Sequence, residues 1–474
     1  MRRLNGWDAI LLYSETPNVH THTLKVAVID ASRTGDFSFE LFRRTLQRRL
    51  HVLEPLRYQL VDIPLRLHHP MWLQECEVDL DYHLRRIRVP SPGGRRELDQ
   101  VIGEVAGTPL DRRRPLWEFH FAEGMAGDRF AVIGKVHHAL ADGVASANLM
   151  ARAMDAKGQD ERDSYASCAP PPTRELLRAA GRDQVQQLAQ LPSVVKDSVA
   201  GIRRVRRRAR ERGRHSDVAR NFDPPPTFLN HVVSPRRTFA SVTLALAQVK
   251  QTSKQLGITV NDLVLATSAG ALRDLLLRYD GSADRPIIAS VPASTDTSPD
   301  RITGNALSGM LVSLPVHVDD PLERIRLTAM STGIAKENYH LLGPHLIGQW
   351  AGYLPPVLAP PLFRWLSKRD AQNKLMNLSI SNVPGPRDRG HIAGATMSEI
   401  YSVGPLTAGS GMNITVWSYV DQLNISVICD DLTLRDPHEA TDAMTRSFSE
   451  LCSAAGLSGD LDPVGTAMAP ARVG

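Results

Sequence analysis

The chain has 474 residues, too many for one ordinary compact domain and enough for two, each able to bury a sizeable core. With 42% hydrophobic and 23% charged residues it reads as globular rather than disordered, and a net charge of +5 is too small an excess to imply nucleic acid. Cys76, Cys168, Cys429 and Cys452 form no CxxC pair, which argues against a disulfide framework or a zinc site and fits a reducing compartment.

The opening Met-Arg-Arg-Leu-Asn-Gly-Trp-Asp reaches Asp8 before any apolar run develops, so no secretory signal is expected. Leu24, Val26 and Val28 alternate with Lys25 and Ala27, which predicts a strand. Phe39, Phe42, Leu46 and Leu50 follow helical spacing. Trp117, Phe119 and Phe121 alternate again, and Phe130 to His138 predicts a further strand. Two proline triplets, Pro170 to Pro172 and Pro224 to Pro226, then bracket a segment crowded with Arg203, Arg204, Arg206, Arg207, Arg208, Arg210, Arg212 and Arg214. Proline runs stiffen a chain and stop helices, so the expected division is 1–165, a basic connector 166–225, and 226–474.

In the last part, Leu244 to Leu256 predicts a helix stopped by Gly257, and Thr259 with Asp262 is placed to cap another running through Leu277. Ile287 to Val291, Leu378 to Ser381, Ile414 to Tyr419 and Leu423 to Cys429 predict strands. The class is α/β, in two halves. No uninterrupted apolar stretch approaches the ~20 residues of a spanning helix, so a soluble or peripheral protein is expected.

The stretch that carries chemistry is Phe130 to Gly143, in which a strand ends in His137 and His138, turns, and passes Asp142-Gly143 before an apparent helix. A neutral imidazole can take a hydroxyl proton and later return it, which acyl transfer to an alcohol requires. Asp142 could orient the loop or the ring, and Gly143 permits backbone angles that a side chain would forbid. Spacing alone leaves open a capped strand edge or a metal half-site, although no HExxH-type spacing supports zinc. If strand geometry persists, His138 shares a face with Val136, Val132 and Phe130, and His137 with Lys135 and Ile133.

His137-His-Ala-Leu-Ala-Asp-Gly143 matches the HHxxxDG motif of the chloramphenicol acetyltransferase-like acyltransferases. The chain as a whole resembles one branch of them, the bacterial wax ester synthase/diacylglycerol acyltransferase family. The blocks run nearly end to end: Leu4 to Asp8, Glu15-Thr16-Pro17 and His22, Pro115-Leu116-Trp117, Asn261-Asp262, Asn382 to Pro386, Gly404-Pro405, Gly411 to Thr415, and Ser418-Tyr419. One departure is Thr21-His22-Thr23 in place of a more usual Met-His-Val-Gly, placed away from the catalytic motif and bearing on substrate fit alone.

The resemblance implies two related halves, each a mixed sheet covered by helices, with an active-site tunnel between them. It implies His138 as general base, and a structural Asp142 paired with an arginine the sequence does not identify. A long-chain acyl-CoA would be co-substrate, a diacylglycerol or long-chain alcohol the acceptor, with no cofactor or metal. Pro115, Leu116, Trp117, Asn261, Asp262 and Asn382 become candidate substrate-binding residues by motif membership. Asn261 and Asn382 are also candidates to steady the oxyanion, against the plainer reading of a helix cap or turn. Trp117 reads first as a core-facing strand residue. A carrier-fed condensation enzyme is disfavoured by the Pro115-Leu116-Trp117, Asn261-Asp262 and Asn382 to Pro386 blocks, and an idle lipid-binding protein by the intact motif.

Hydrophobic substrates imply contact with a membrane or droplet, hence a cytoplasmic protein held peripherally at the inner membrane face or a lipid droplet. Leu188, Leu191, Val195, Val199, Ile202 and Val205 recur at helical spacing ahead of the arginines, giving either a basic amphipathic lipid contact or a linker helix packed on the body. Residues 338–363 hold no Asp, Glu, Lys or Arg, and their prolines exclude one spanning helix. They are expected to line an acyl tunnel, dip into an interface, or form core.

Overall fold

Alternating apolar residues and side-chain caps produce most of the expected elements. A computed structural model describes residues 1–154, 171–213, 215–369, 375–462 and 464; Cys168, Pro170 and Arg214 lie outside them. The chain begins with β1 (Arg2–Arg3), α1 (Gly6–Tyr13), β2 (His22–Asp30), α2 (Phe39–Arg49), β3 (Gln59–Val61) and β4 (Met71–Leu73). It continues through α3 (Leu80–His83), β5 (Leu84–Arg88), α4 (Arg95–Ala106), β6 (Trp117–Met125), β7 (Arg129–His137) and α5 (Gly143–Ala153). A long α6 (Thr173–Arg212) precedes β8 (Arg237–Ala245), α7 (Leu246–Gln255), α8 (Val260–Tyr279), β9 (Ile287–Ser294) and β10 (Leu307–Leu314). Then come α9 (Pro321–Leu342), α10 (Leu346–Gly352), α11 (Ala359–Ser367), β11 (Leu378–Pro384) and β12 (His391–Ile392). The last are β13 (Ala395–Val403), β14 (Met412–Tyr419), β15 (Gln422–Asp430) and α12 (His438–Ala454).

Two six-stranded mixed sheets organise the molecule, in the orders β12-β13-β2-β7-β6-β5 and β10-β9-β11-β14-β15-β8. In the first only β5 runs parallel to its neighbour, and in the second β11 runs parallel to both β9 and β14. A small sheet, β1-β4-β3, stands beside them. The second sheet buries its apolar face against α8, whose Leu263, Leu265, Leu272 and Leu276 belong to one core with Ile380, Ile414 and Val427. At the start of α8 the expected cap is present: Thr259 accepts from the Asp262 N–H, and the Asp262 carboxylate takes the Thr259 N–H in return. The span Leu244 to Leu256 divides, however, since β8 runs to Ala245 and α7 starts at Leu246.

The sheets do not follow the sequence division at 165 and 225. β12 and β13, from the C-terminal part, complete the N-terminal sheet by pairing β13 with β2 from Thr396↔Asp30 to Val403↔Leu24. β13 is nearly all buried, because it lies where the two halves meet. Its polar groups are satisfied across that junction: Asn424 Nδ2 donates to the Ile400 carbonyl at 2.8 Å, and Arg95 pairs with Glu399 at 2.6 Å. Such residues interrupt an apolar alternation, so β13 leaves no strand signal in the sequence.

The basic connector is the helix α6, but its expected apolar stripe does not face the body. Leu188, Val195, Val199 and Ile202 are exposed, while Leu176, Ala180, Val194, Ser198 and Gly201 face inward. Residues 338–363 lie beside it at the surface. Trp350 Nε1 donates to Ser198 Oγ at 2.8 Å, and Tyr353 donates to the Gln187 carbonyl at 2.7 Å. Ile347, Trp350, Val357, Leu358 and Leu362 are exposed there, so most of this segment is neither core nor cavity wall. α10 also meets α1 closely, and a Cβ on Gly6 would come within 2.2 Å of the Gly348 carbonyl oxygen.

Candidate functional site

β7 carries the motif out of the N-terminal sheet, and the two histidines part as strand alternation requires. His137 is fully buried. The Ala139 N–H donates to its Nδ1 at 3.1 Å, so Nε2 holds the proton and faces Thr21 Oγ1 at 3.0 Å. With both nitrogens engaged, the ring has no lone pair for a metal. Among the described residues no group of three His, Cys, Asp or Glu side chains could hold one. Thr21 also accepts the His138 N–H on its carbonyl at 2.8 Å, so the departure at Thr21-His22-Thr23 lies against the motif rather than away from it.

His138 is half-buried and differently held. Its Nδ1 lies 3.0 Å from Asn305 Oδ1. The orientation of that amide follows from its surroundings: Asn305 Nδ2 donates to Asp8 Oδ1 and to the His138 carbonyl, each at 2.8 Å. Both are acceptors, so Oδ1 must face the imidazole, Nδ1 must carry the proton, and Nε2 keeps its lone pair. Asp8 also takes the Asn305 N–H at 3.0 Å, while Asn5 Nδ2 donates to the Asn305 carbonyl. Burial pushes the Asp8 carboxyl up to about 6, against the hydrogen bond from Asn305. Burial also lowers the His138 pKa, with Lys25 and His137 adding to the effect and Asp142 opposing it.

Asp142 caps α5 by accepting the Ala145 N–H at 2.9 Å. Its partner is Arg301, which binds both carboxylate oxygens at 2.9 and 3.0 Å. The Ala306 N–H adds a third donor at 2.9 Å. Gly304 completes the junction by donating to the Leu140 carbonyl at 2.7 Å. Gly143 has another purpose than the one expected. It is the first residue of α5 and shows no positive φ, but a Cβ there would come within 3.0 Å of Val383 Cγ2. The close approach of Val383 on β11, not an unusual backbone angle, is what favours glycine there.

Among the described residues the remaining candidates make no hydrogen bond to His138, although the Leu116 carbonyl accepts the His137 N–H at 3.0 Å. Pro115, Leu116 and Trp117 are packed inside: Trp117 donates to the Leu56 carbonyl at 2.7 Å and stacks on His83 at 4.3 Å. Asn261 and Asp262 form the first turn of α8. The next residues of that turn, Leu263 and Val264, pack against Leu244, Leu423 and Ile425, at the β15–β8 side of the second sheet. The groups that hold His138 come from the loop before β10 and from Thr21 ahead of β2. Asn382 lies on the face of β11 that carries Leu378 and Ile380, opposite Val383. Asp8, Arg301 and Asn305, which sequence reasoning did not single out, do meet the motif. Only Asp8 lay within a block singled out in the sequence.

Next to the motif lies a cavity of about 100 Å³ between the first sheet and α2 and α5. Val136, two residues before His138 on the same face, belongs to its wall, as do Phe42, Leu46, Leu53, Leu149 and Met397.

Two mixed sheets meeting over an HHxxxDG turn define the chloramphenicol acetyltransferase-like class of acyltransferases. The first condensation domain of the CDA synthetase has this fold, with a TM-score of 0.58 at 14% identity, covering 98% of this chain and 99% of that one. Within the class, the family description "wax ester synthase/diacylglycerol acyltransferase catalytic domain" matches residues 4–264, and the WS/DGAT C-terminal domain matches residues 303–452. The chain belongs to this family and is an O-acyltransferase. A Mycobacterium tuberculosis protein named as a diacylglycerol O-acyltransferase is 57% identical over 99% of this chain and 100% of its own. The O-acyltransferase WSD of Acinetobacter baylyi is 32% identical over 77% of this chain and 79% of its own. The wax ester synthase/diacylglycerol acyltransferase from Marinobacter aquaeolei VT8 superposes with a TM-score of 0.68 at 27% identity, covering 96% of this chain and 100% of that one.

The Arg301–Asp142 pair generates a direct test. Arg301→Met strands a buried carboxylate and should cost about 3–5 kcal/mol of unfolding free energy in urea titrations. Asp142→Asn on that background keeps the α5 cap and should recover a large part of the loss. Strictly additive losses would show that the two side chains are not coupled.

Proposed function

We propose that the protein transfers a long-chain acyl group from acyl-CoA to diacylglycerol, giving triacylglycerol, with His138 as general base. The observation that carries this reading is the Asn305 bridge, which gives His138 an Nδ1 proton and leaves Nε2 free. The acceptor hydroxyl gives its proton to Nε2 as its oxygen attacks the thioester carbonyl. The tetrahedral intermediate then collapses, the C–S bond breaks, and the thiolate of CoA takes the proton back from His138. A thioester is already activated, so positioning the alcohol in line suffices and no acyl-enzyme is needed. The names of the mycobacterial relatives favour diacylglycerol; a long-chain alcohol, giving a wax ester, is the second acceptor to test. The tunnel between the halves and the absence of a resident cofactor belong to the same reading. His137, Asp142 and Gly143 then position the loop, and the Pro115-Leu116-Trp117 block packs behind it.

The exposed apolar residues of α6, α10 and α11 support docking of the cytoplasmic protein on the inner membrane face or a lipid droplet. No described helix is long and apolar enough to cross a membrane. Part of the arginine cluster is already engaged: Arg208 and Arg212 pair with Glu337, and Arg204 donates to the Leu341 carbonyl. Arg203 and Arg206 have no ion pair among the described residues and remain for anionic headgroups.

His138→Ala should cut kcat by roughly 10²–10⁴-fold, measured as thiol release from palmitoyl-CoA with dioleoylglycerol, in a protein that stays folded. His137→Ala should cost less. Because the folded pKa of His138 is lowered, the neutral base is present at pH 6.5 and the acid limb of kcat/KM should fall below that value. Near-normal turnover in His138→Ala would remove the mechanism. Asp8→Asn keeps one oxygen for Asn305 but sets an NH2 against the Asn5 N–H and weakens the acceptor that orients the Asn305 amide, so kcat should drop roughly 10-fold or more. Stability at pH 7 should hold or rise, since ionising this buried carboxyl costs folding on the order of a few kcal/mol. A loss of stability matching the loss of activity would give Asp8 a structural role only. Replacing Arg203 and Arg206 by glutamine should weaken binding to phosphatidylglycerol vesicles at low salt by about tenfold or more, at about 1 kcal/mol per charge. Unchanged binding would make α6 a plain linker.

A further inference from the structure

The cavity beside His138 is lined mostly by apolar side chains, with Thr23, Lys25, Thr45, Arg49 and Ser146 as its polar residues, and Lys25 and Thr45 stand out among these. Lys25 points from β2 into this space, directly opposite Ser402 on β13 and Gly134 on β7. Its Nζ donates to Ser402 Oγ at 2.5 Å and lies 4.6 Å from the centre of the Trp417 ring. No carboxylate pairs with it among the described residues. An ammonium has three donors, so one hydroxyl and a ring face leave donor capacity unused. Across the cavity, on α2, Thr45 also lines the wall, and its buried Oγ1 has no hydrogen-bond partner among the described residues. The glycine opposite Lys25 makes room for the Phe119 ring, which a Cβ there would meet at 3.1 Å.

A plain hydrocarbon chain filling this space would seal both groups into a dry wall with nothing to bond, whereas an oxygen on the chain would satisfy them. From this arrangement, and resting on the acyltransferase reading above, we infer that Lys25 and Thr45 are specificity-determining residues that select an acyl chain bearing a hydroxyl or keto oxygen away from its reacting carbonyl. Burial supports the assignment independently, pushing the Lys25 amine down to about 7 with only the more distant Asp142 carboxylate opposing it. A group so poorly solvated gains from any acceptor brought to it. A site built around a polar partner discriminates against ligands that lack it more strongly than an apolar pocket discriminates by size.

The test compares donors on the wild-type enzyme with dioleoylglycerol as acceptor. The donors are palmitoyl-CoA and palmitoyl-CoA carrying one hydroxyl near the carboxyl end, at mid-chain or at the terminus. At least one hydroxylated donor should exceed palmitoyl-CoA in kcat/KM by about tenfold. Lys25→Met should bring that ratio to about one, and the near-isosteric Thr45→Val should lower it by a smaller factor. Palmitoyl-CoA equal to or better than every hydroxylated donor overturns the inference, as does a ratio that survives Lys25→Met. The wild-type comparison decides without any variant should Lys25→Met fail to fold. Turnover of palmitoyl-CoA with no hydroxyl preference removes this inference and leaves the acyltransferase reading; no turnover with any donor removes both.

Discussion

The two-pronged contact between Arg301 and Asp142 is the constraint on which the site depends. A strand that ends in a tight turn cannot hold a reactive ring by itself, because loops lack the repeating hydrogen bonds that fix sheets and helices. Here the turn is anchored at both ends. Asp142 begins α5 by capping it and at the same time receives the Arg301 guanidinium. The guanidinium also donates to the Gly304 carbonyl, so the loop before β10 is drawn into fixed contact with the motif. Asn305 follows immediately, and its amide fixes the imidazole. Energy spent burying one ion pair thereby sets the position of a ring several ångströms away.

Much of this was legible in the sequence, and the gaps have physical causes. β7 declares itself by alternation, α8 by its capping box, and the motif by its spacing. Each signal sits within a dozen or so residues. Arg301 and Asn305 carry no such mark, since a loop residue more than 150 positions from its partner is defined by the fold and not by its neighbours. Motif membership alone did not say what each residue touches. Trp117, Asn261 and Asp262 are framework residues, a core indole and a helix cap, and Asn382 faces the helix layer. Gly143 illustrates the same point at the backbone: the need for glycine was readable, but the reason, contact with Val383, required the tertiary structure.

Opposed electrostatic influences meet at His138. Burial, Lys25 and His137 disfavour the imidazolium, and Asp142 favours it. The balance holds the ring neutral before reaction, and the nearby carboxylate can still support the positive charge that appears when the hydroxyl proton arrives. Asp8 shows what such arrangements demand, because its carboxylate is kept in a place where burial raises its proton affinity. The α1 helix that carries it is in turn pressed against α10, so the surface segment and the reacting ring share one rigid support.

The crossing of β13 into the N-terminal sheet has a consequence for how the chain must be made. β2 is an inner strand only once residues 395–403 have joined it. During synthesis roughly 365 residues separate its emergence from that of its partner, and over that interval the sequence from Leu24 to Ile29 presents an unpaired, apolar edge. The first half of the molecule is therefore a domain by its core but not by its hydrogen bonding. Chaperone protection would be needed most while this edge waits, and a fragment ending near residue 165 would carry it permanently, open to pairing with any other exposed strand.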